Sequence, residues 1–152
     1  MTTTTPQLTL TRIVNAPRTR VYQAFTNPDD FAAWWGPFGN SLPRDEIEFD
    51  VRPGGFLRWS EVFPDQPGSW TKGRLDLTEV VDGELLEGVM RVTGELPMGF
   101  EGFETRMRVE FHDEADGRTR LEIRQWLRED YVSPSVAGWG EALTKLDGVL
   151  AA

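Results

Sequence analysis

Glu61 is the carboxylate in this chain whose neighbours best equip it for chemistry. Between Phe56 and Phe63, Leu57, Trp59 and Phe63 alternate along one side of an extended run. Glu61 shares that side, because successive side chains of a strand point to opposite faces. A carboxyl turned towards an apolar interior is pushed towards its neutral form and can serve as a general acid or base. Gln125 has the same kind of setting among Leu121, Ile123 and Leu127, where its amide could orient a polar group of a bound molecule. The remaining ionisable motifs point to structure. The one histidine, His112, ends an alternating run beside Asp113, Glu114 and Asp116, and reads as an exposed turn residue next to a solvated acidic turn. No serine-nucleophile signature, phosphate loop or metal-ligand cluster is present. The chain has no cysteine, which excludes a disulfide framework, a thiolate nucleophile and a cysteine metal site. The sequence therefore calls for no cofactor and no metal, and Glu61 is its one candidate for catalysis.

Aromatic residues are the other unusual feature: six tryptophans and nine phenylalanines in 152 residues. Such side chains either fill a core or line a site for an apolar ligand. The formal charge of −9 argues against a nucleic-acid or anionic-membrane surface, since both need a basic footprint. No apolar run approaches the roughly 20 residues of a membrane span, and no basic-then-apolar signal opens the chain. Cytoplasm is the default expectation.

These residues must be positioned by elements that the patterning outlines. The length suits one domain, from residue 8 to 152, with residues 1–7 a Thr-rich frayed tail. Leu8 to Val14 alternates as a first strand. Two short helices follow, Pro17 to Thr26 and one capped by Asn27-Pro28 that runs into Phe31, Trp34 and Trp35 and stops at Gly36-Pro37. Alternation then predicts strands over Arg44 to Val51, Phe56 to Phe63 and Trp70 to Val80. The last of these enters a two-residue hairpin at Asp82-Gly83, and Leu86, Met90 and Val92 lie on its return. Further strands run from Phe103 to Phe111 and from Thr119 to Leu127. Asp50 and Arg52 frame a Pro53-Gly54 turn whose glycines read as turn residues. Ser133 and Pro134 look like the cap and first residue of a long terminal helix reaching Leu150. Val136, Trp139, Leu143, Leu146 and Leu150 form its apolar stripe, with Glu141, Lys145 and Asp147 on other faces. Gly138 and Gly140 within it hint at close approach or flexibility.

That order of elements, with several local motifs, resembles the START-like, or birch-pollen-allergen-like (SRPBCC), superfamily. Within it the chain is similar to the family of the activator of heat-shock-protein-90 ATPase homologue. The resemblance is carried by Asn15-Ala16-Pro17 with Val21, by Trp34-Trp35-Gly36-Pro37, and by Asp50-Val51-Arg52-Pro53-Gly54-Gly55. Gly73 and the Gly138-Trp139 pair with Leu143 and Leu146 complete it, and the likeness extends over roughly Leu8 to Leu150. It implies an α+β helix-grip fold: a seven-stranded antiparallel sheet wrapped around the long C-terminal helix, with two short helices after the first strand and a cavity between sheet and helix.

It does not imply one activity, since members include lipid and hormone carriers, cyclases and co-chaperone domains. In such a fold Trp35, Phe38, Trp59, Phe100 and Trp139 would converge near one mouth of the cavity, joined by Met90, Met107, Gln125 and Leu143. The expectation is a protein that binds a small hydrophobic or aromatic molecule there without transforming it. The alternatives are a chaperone-linked interaction module of the stress response and a cyclase- or hydrolase-like enzyme using Glu61. The chaperone reading is lowered by the short stretch before Leu8, because family activators work through an additional N-terminal domain. A homodimer through a free sheet edge is compatible with the sequence but not specified by it.

Overall fold

A computed structural model describes residues 5–97, 99–100 and 102–151 of the chain. Strand β1 (Leu8–Val14) leads into helices α1 (Arg18–Thr26) and α2 (Pro28–Trp34). Strands β2 (Glu48–Asp50), β3 (Phe56–Val62), β4 (Trp70–Val81), β5 (Leu85–Glu95), β6 (Phe103–Glu114) and β7 (Arg118–Trp126) follow, and helix α3 (Glu129–Ala151) closes the chain. The strands form one antiparallel sheet in the order β1-β7-β6-β5-β4-β3-β2. This is the helix-grip arrangement. Its core joins the inner sheet face, through Leu75, Leu77, Val109, Phe111, Leu121 and Ile123, to Leu143 and Leu146 of α3.

The two short helices exist for local reasons. Asn27 accepts from the amides of Asp29 and Asp30, which caps α2, and Pro28 takes the first helical position. Trp34 is fully buried and donates its indole N–H to Ala24 O at 2.8 Å, which ties α2 to α1. Tyr22 and Phe25 of α1 both meet Phe111 of β6 edge-on, with centroids 5.2 Å apart.

Several boundaries differ from the patterning. The alternating run from Arg44 to Val51 is mostly not a strand. Arg44–Glu46 is a 3-10 turn after Pro43, and only Glu48–Asp50 pairs with β3. The β4–β5 hairpin has three loop residues rather than two: Val81 pairs with Leu85, and Gly83 carries φ +74°. Gln7, assigned to the tail, is held, since its Oε1 accepts from Leu127 N at 2.9 Å; residues 1–4 of that tail lie outside the described residues.

The largest difference is in α3. It begins at Glu129, so Ser133 is no cap and Pro134 lies inside the helix. Glu129 and Asp130 suit the positive end of the dipole. Tyr131 anchors the extra turn by packing on Phe103 at 5.0 Å and donating to Gly102 O. These tertiary contacts outweigh the single backbone hydrogen bond that proline forfeits. Val136, placed on the stripe, is exposed.

Candidate ligand cavity

A cavity of about 810 Å³ lies between the sheet and the N-terminal half of α3, from Asp130 to Ala142. That volume falls within the range of small-molecule sites.

Trp35 is the centre of its aromatic wall. Helix α2 ends at this residue, whose backbone turns to an extended conformation (φ −65°, ψ 141°). Adjacent tryptophans therefore part company, with Trp34 in the core and Trp35 at the cavity. Trp35 stacks on Phe31 at 4.8 Å and meets Trp59 and Trp139 edge-on at 5.1 and 5.4 Å. Trp59 of β3 lies across Gly73 of β4, its cross-strand partner. Trp139 of α3 donates its indole N–H to Gln125 Oε1 at 2.7 Å, which also fixes which end of that amide is oxygen.

Glu61 supplies the polar end. It is 7% exposed and accepts from Thr71 Oγ1 at 2.8 Å and from the amide of Asn40. Lys145 is the cation beside it, reached through Asn40. The Lys145 ammonium donates to Asn40 Oδ1 at 2.9 Å, Pro37 O at 3.1 Å and Trp35 O at 3.3 Å. Burial pushes the Glu61 carboxyl above its usual range, against the hydrogen bonds and the lysine charge that lower it. Burial likewise pulls Lys145 below the usual range, with the Glu61 and Glu141 charges opposing.

The expected site residues fall into two groups. Trp35, Trp59, Met90, Phe100, Gln125 and Trp139 all reach the cavity wall, as does Glu61. Phe38, Met107 and Leu143 do not. Phe38 is 56% exposed beyond the Gly36-Pro37 turn, and only its backbone approaches the site, donating to Glu141 Oε1 at 2.8 Å. Met107 and Leu143 are buried in the core, because the cavity ends at Ala142, where α3 settles onto the sheet. Asn40, Thr71, Tyr131, Glu141 and Lys145 are the residues that strand and helix patterning passed over. The i, i+4 spacing of Glu141 and Lys145, next to Ala142 and Trp139, is the signal that places them beside the buried stripe.

His112 is not a turn residue. It lies in β6 and meets Glu110 Oε1 at 2.8 Å and Glu122 Oε2 at 3.1 Å on the outer face. Arg108 and Arg124 already neutralise Glu110, and Arg120 and Arg124 neutralise Glu122. Burial alone would raise the Glu110 carboxyl; donors from Arg108 and His112 overcome it and hold the group below its ordinary value. The cluster is a satisfied ladder of charges. At the β2–β3 turn, Arg52 Nε donates to Asp50 at 2.9 Å and Gly54 carries φ +85°, the structural roles expected of both.

Among the described residues no helix is long and apolar enough to cross a membrane. The model of the activator of Hsp90 ATPase homolog 1-like family matches residues 15–151. The chain belongs to that family. Solved structures agree over almost the whole length. A Chromobacterium violaceum protein is 25% identical, with a TM-score of 0.77 over 94% of this chain and 96% of its own. A Rhodobacter sphaeroides protein is 19% identical, with a TM-score of 0.77 over 99% and 96%. A Rhizobium leguminosarum protein is 19% identical, with a TM-score of 0.75 over 95% and 93%. No curated protein is significantly similar.

Proposed function

We propose that this family member binds a small apolar or aromatic molecule in the cavity under α3 and does not transform it. One observation carries the reading. Three tryptophans from three different elements, Trp35 with Trp59 and Trp139 edge-on against it, line a space of about 810 Å³. Apolar side chains that form a void lose contacts on one side, so a wall of this kind is favoured when something occupies the space. Gln125 and Glu61 give the ligand polar handles on an otherwise apolar surface.

Native against denaturing mass spectrometry on protein purified without detergent tests this. The expected result is a discrete excess mass that denaturation removes and that Trp59→Ala or Trp139→Ala abolishes while the protein stays folded. A clean apo mass, with no thermal shift across a panel of lipids and aromatic molecules, overturns it.

Proton transfer by Glu61 is a second reading, supported by its burial and its place on the wall. It requires a turnover that Glu61→Gln abolishes with ligand affinity kept. Bound ligand recovered chemically unchanged after prolonged incubation overturns that reading.

A further inference from the structure

We infer that the cavity selects apolar organic cations, hydrophobic amines whose charged end meets Glu61 among the tryptophan faces, and discriminates against carboxylates. This rests on the cavity being a ligand site, as proposed above.

The charges on the wall are of one sign. Glu61, Asp130 and Glu141 line the cavity, and no lysine, arginine or histidine does so among the described residues. Lys145 and Arg128 each touch residues of the wall, and both are engaged. Lys145 has three N–H donors and three protein acceptors for them: Asn40 Oδ1, Pro37 O and Trp35 O. Arg128 directs Nε and Nη2 at Asp130, at 3.2 and 2.8 Å. Three neutral donors on the wall are committed as well. Trp139 donates to Gln125, Tyr131 to Gly102 O and Thr71 to Glu61. A bound carboxylate would thus meet like charge at Glu61 and Glu141 with no cationic donor turned towards it. Burying an unpaired anion is among the most costly outcomes in recognition.

A cation finds the opposite. An ionised carboxylate offers about four acceptor positions, and Asn40 and Thr71 occupy two at Glu61. Trp35, Trp59 and Trp139 line the cavity, and a tryptophan ring carries the negative quadrupole that attracts ammonium groups. The Gln125 amide N–H₂ remains a neutral donor, suited to a hydroxyl or carbonyl elsewhere on the ligand. A formal charge of −9 also favours encounter with cations over anions.

Three matched probes separate the possibilities: phenylbutylamine, phenylbutanol and phenylbutyric acid, titrated near neutral pH with tryptophan fluorescence as the readout. The amine is expected to bind at least tenfold more tightly than the acid and several-fold more tightly than the alcohol. Glu61→Gln is expected to bring the amine down to the level of the alcohol while leaving alcohol affinity in place, with near-UV circular dichroism reporting the fold. If Glu61→Gln does not fold, Glu141→Gln must shrink the preference for the amine instead. An acid bound as tightly as the amine overturns the inference, as does an amine no tighter than the alcohol, or a preference that survives Glu61→Gln. In each of those cases the cavity still binds apolar molecules. Failure of all three probes to bind overturns the ligand-site reading itself.

Discussion

A Cβ on Gly36 would stand 2.0 Å from Glu61 Oε2 and 2.3 Å from Asn40 Nδ2. Gly36 also carries φ +83°, so the turn after α2 needs glycine both for its backbone and for the approach of the buried carboxylate. Gly36→Ala is expected to cost about 1–3 kcal/mol from the backbone alone, and more from displacing Glu61. Each kcal/mol corresponds to about 2–4 °C in a domain of this size. Gly39→Ala is the control, since Gly39 has φ +85° but open space at its Cβ. Thermal melts in which Gly36→Ala is no less stable than Gly39→Ala would show that the contact with Glu61 carries nothing.

The Glu61 carboxyl gives a pH signature with a definite sign. Burial raises it above its ordinary value of 4.5. The folded protein therefore holds this proton more tightly than the unfolded chain does. The contribution of Glu61 to stability is fully present below the ordinary value and declines as pH rises through the raised folded value. Lys145 is depressed by burial, so its contribution is smallest below the lowered folded value and recovers as pH climbs towards its ordinary 10.5. Glu61→Gln removes the first titration, and with it a charge that opposes the depression of Lys145. The stability of wild type minus that of Glu61→Gln should fall steadily from acid pH to neutrality in denaturant melts. A difference that stays flat across that range contradicts the burial assigned to Glu61.

How far the site was readable from sequence depends on the kind of signal each residue leaves. Glu61 and Gln125 were legible because strand periodicity is strict: a residue between two inward neighbours at i±2 must face inward too. Trp35 and Trp59 were legible by type and Trp139 by helical spacing. Asn40 was not, because a polar residue in a loop carries no periodic mark of burial, and the helical spacing of Lys145 places it beside the stripe without showing what its ammonium meets. Their placement follows from tertiary contacts with Trp35 O and Pro37 O. The start of α3 was misread for a related reason. Pro134 is a strong local stop signal, and the contact that overrides it joins Tyr131 to Phe103, in a strand 28 residues away by number. The short β2 shows the opposite failure, in which clean alternation over Arg44 to Val51 found a partner strand for only three residues.

Gly73 carries a prediction about the wall itself. Its Cβ would lie 2.2 Å from Trp59 Cζ2 and 2.3 Å from Cε2, inside the ring. Trp59 thus owes its flat position across β4 to the missing side chain opposite. Gly73→Ala should leave the sheet intact, since the atoms a Cβ would meet belong to the Trp59 side chain and not to backbone, yet lift the indole towards the cavity and reduce its volume. The expected outcome is a folded protein with altered near-UV circular dichroism and probe affinity lowered by about tenfold or more, roughly 1.4 kcal/mol. Unchanged aromatic spectra and unchanged affinity would mean that the ring does not rest on Gly73.

The bond from Trp139 to Gln125 can be separated from the bulk of the indole. Gln125 is 2% exposed, and its Oε1 accepts the Trp139 N–H at 2.7 Å. Trp139→Phe keeps a ring beside Trp35 but strands the Gln125 oxygen. Gln125→Leu strands the indole N–H. Leaving one buried polar partner alone costs about 1–3 kcal/mol, whereas removing both together can be nearly neutral. Each single variant is therefore expected to lose stability in that range. The double variant should lose clearly less than the two losses added, giving a coupling energy of about 0.5–3 kcal/mol in a double-mutant cycle. Additive losses would mean that the bond does not bridge helix and sheet, and that the helix is held over the cavity by ring packing alone.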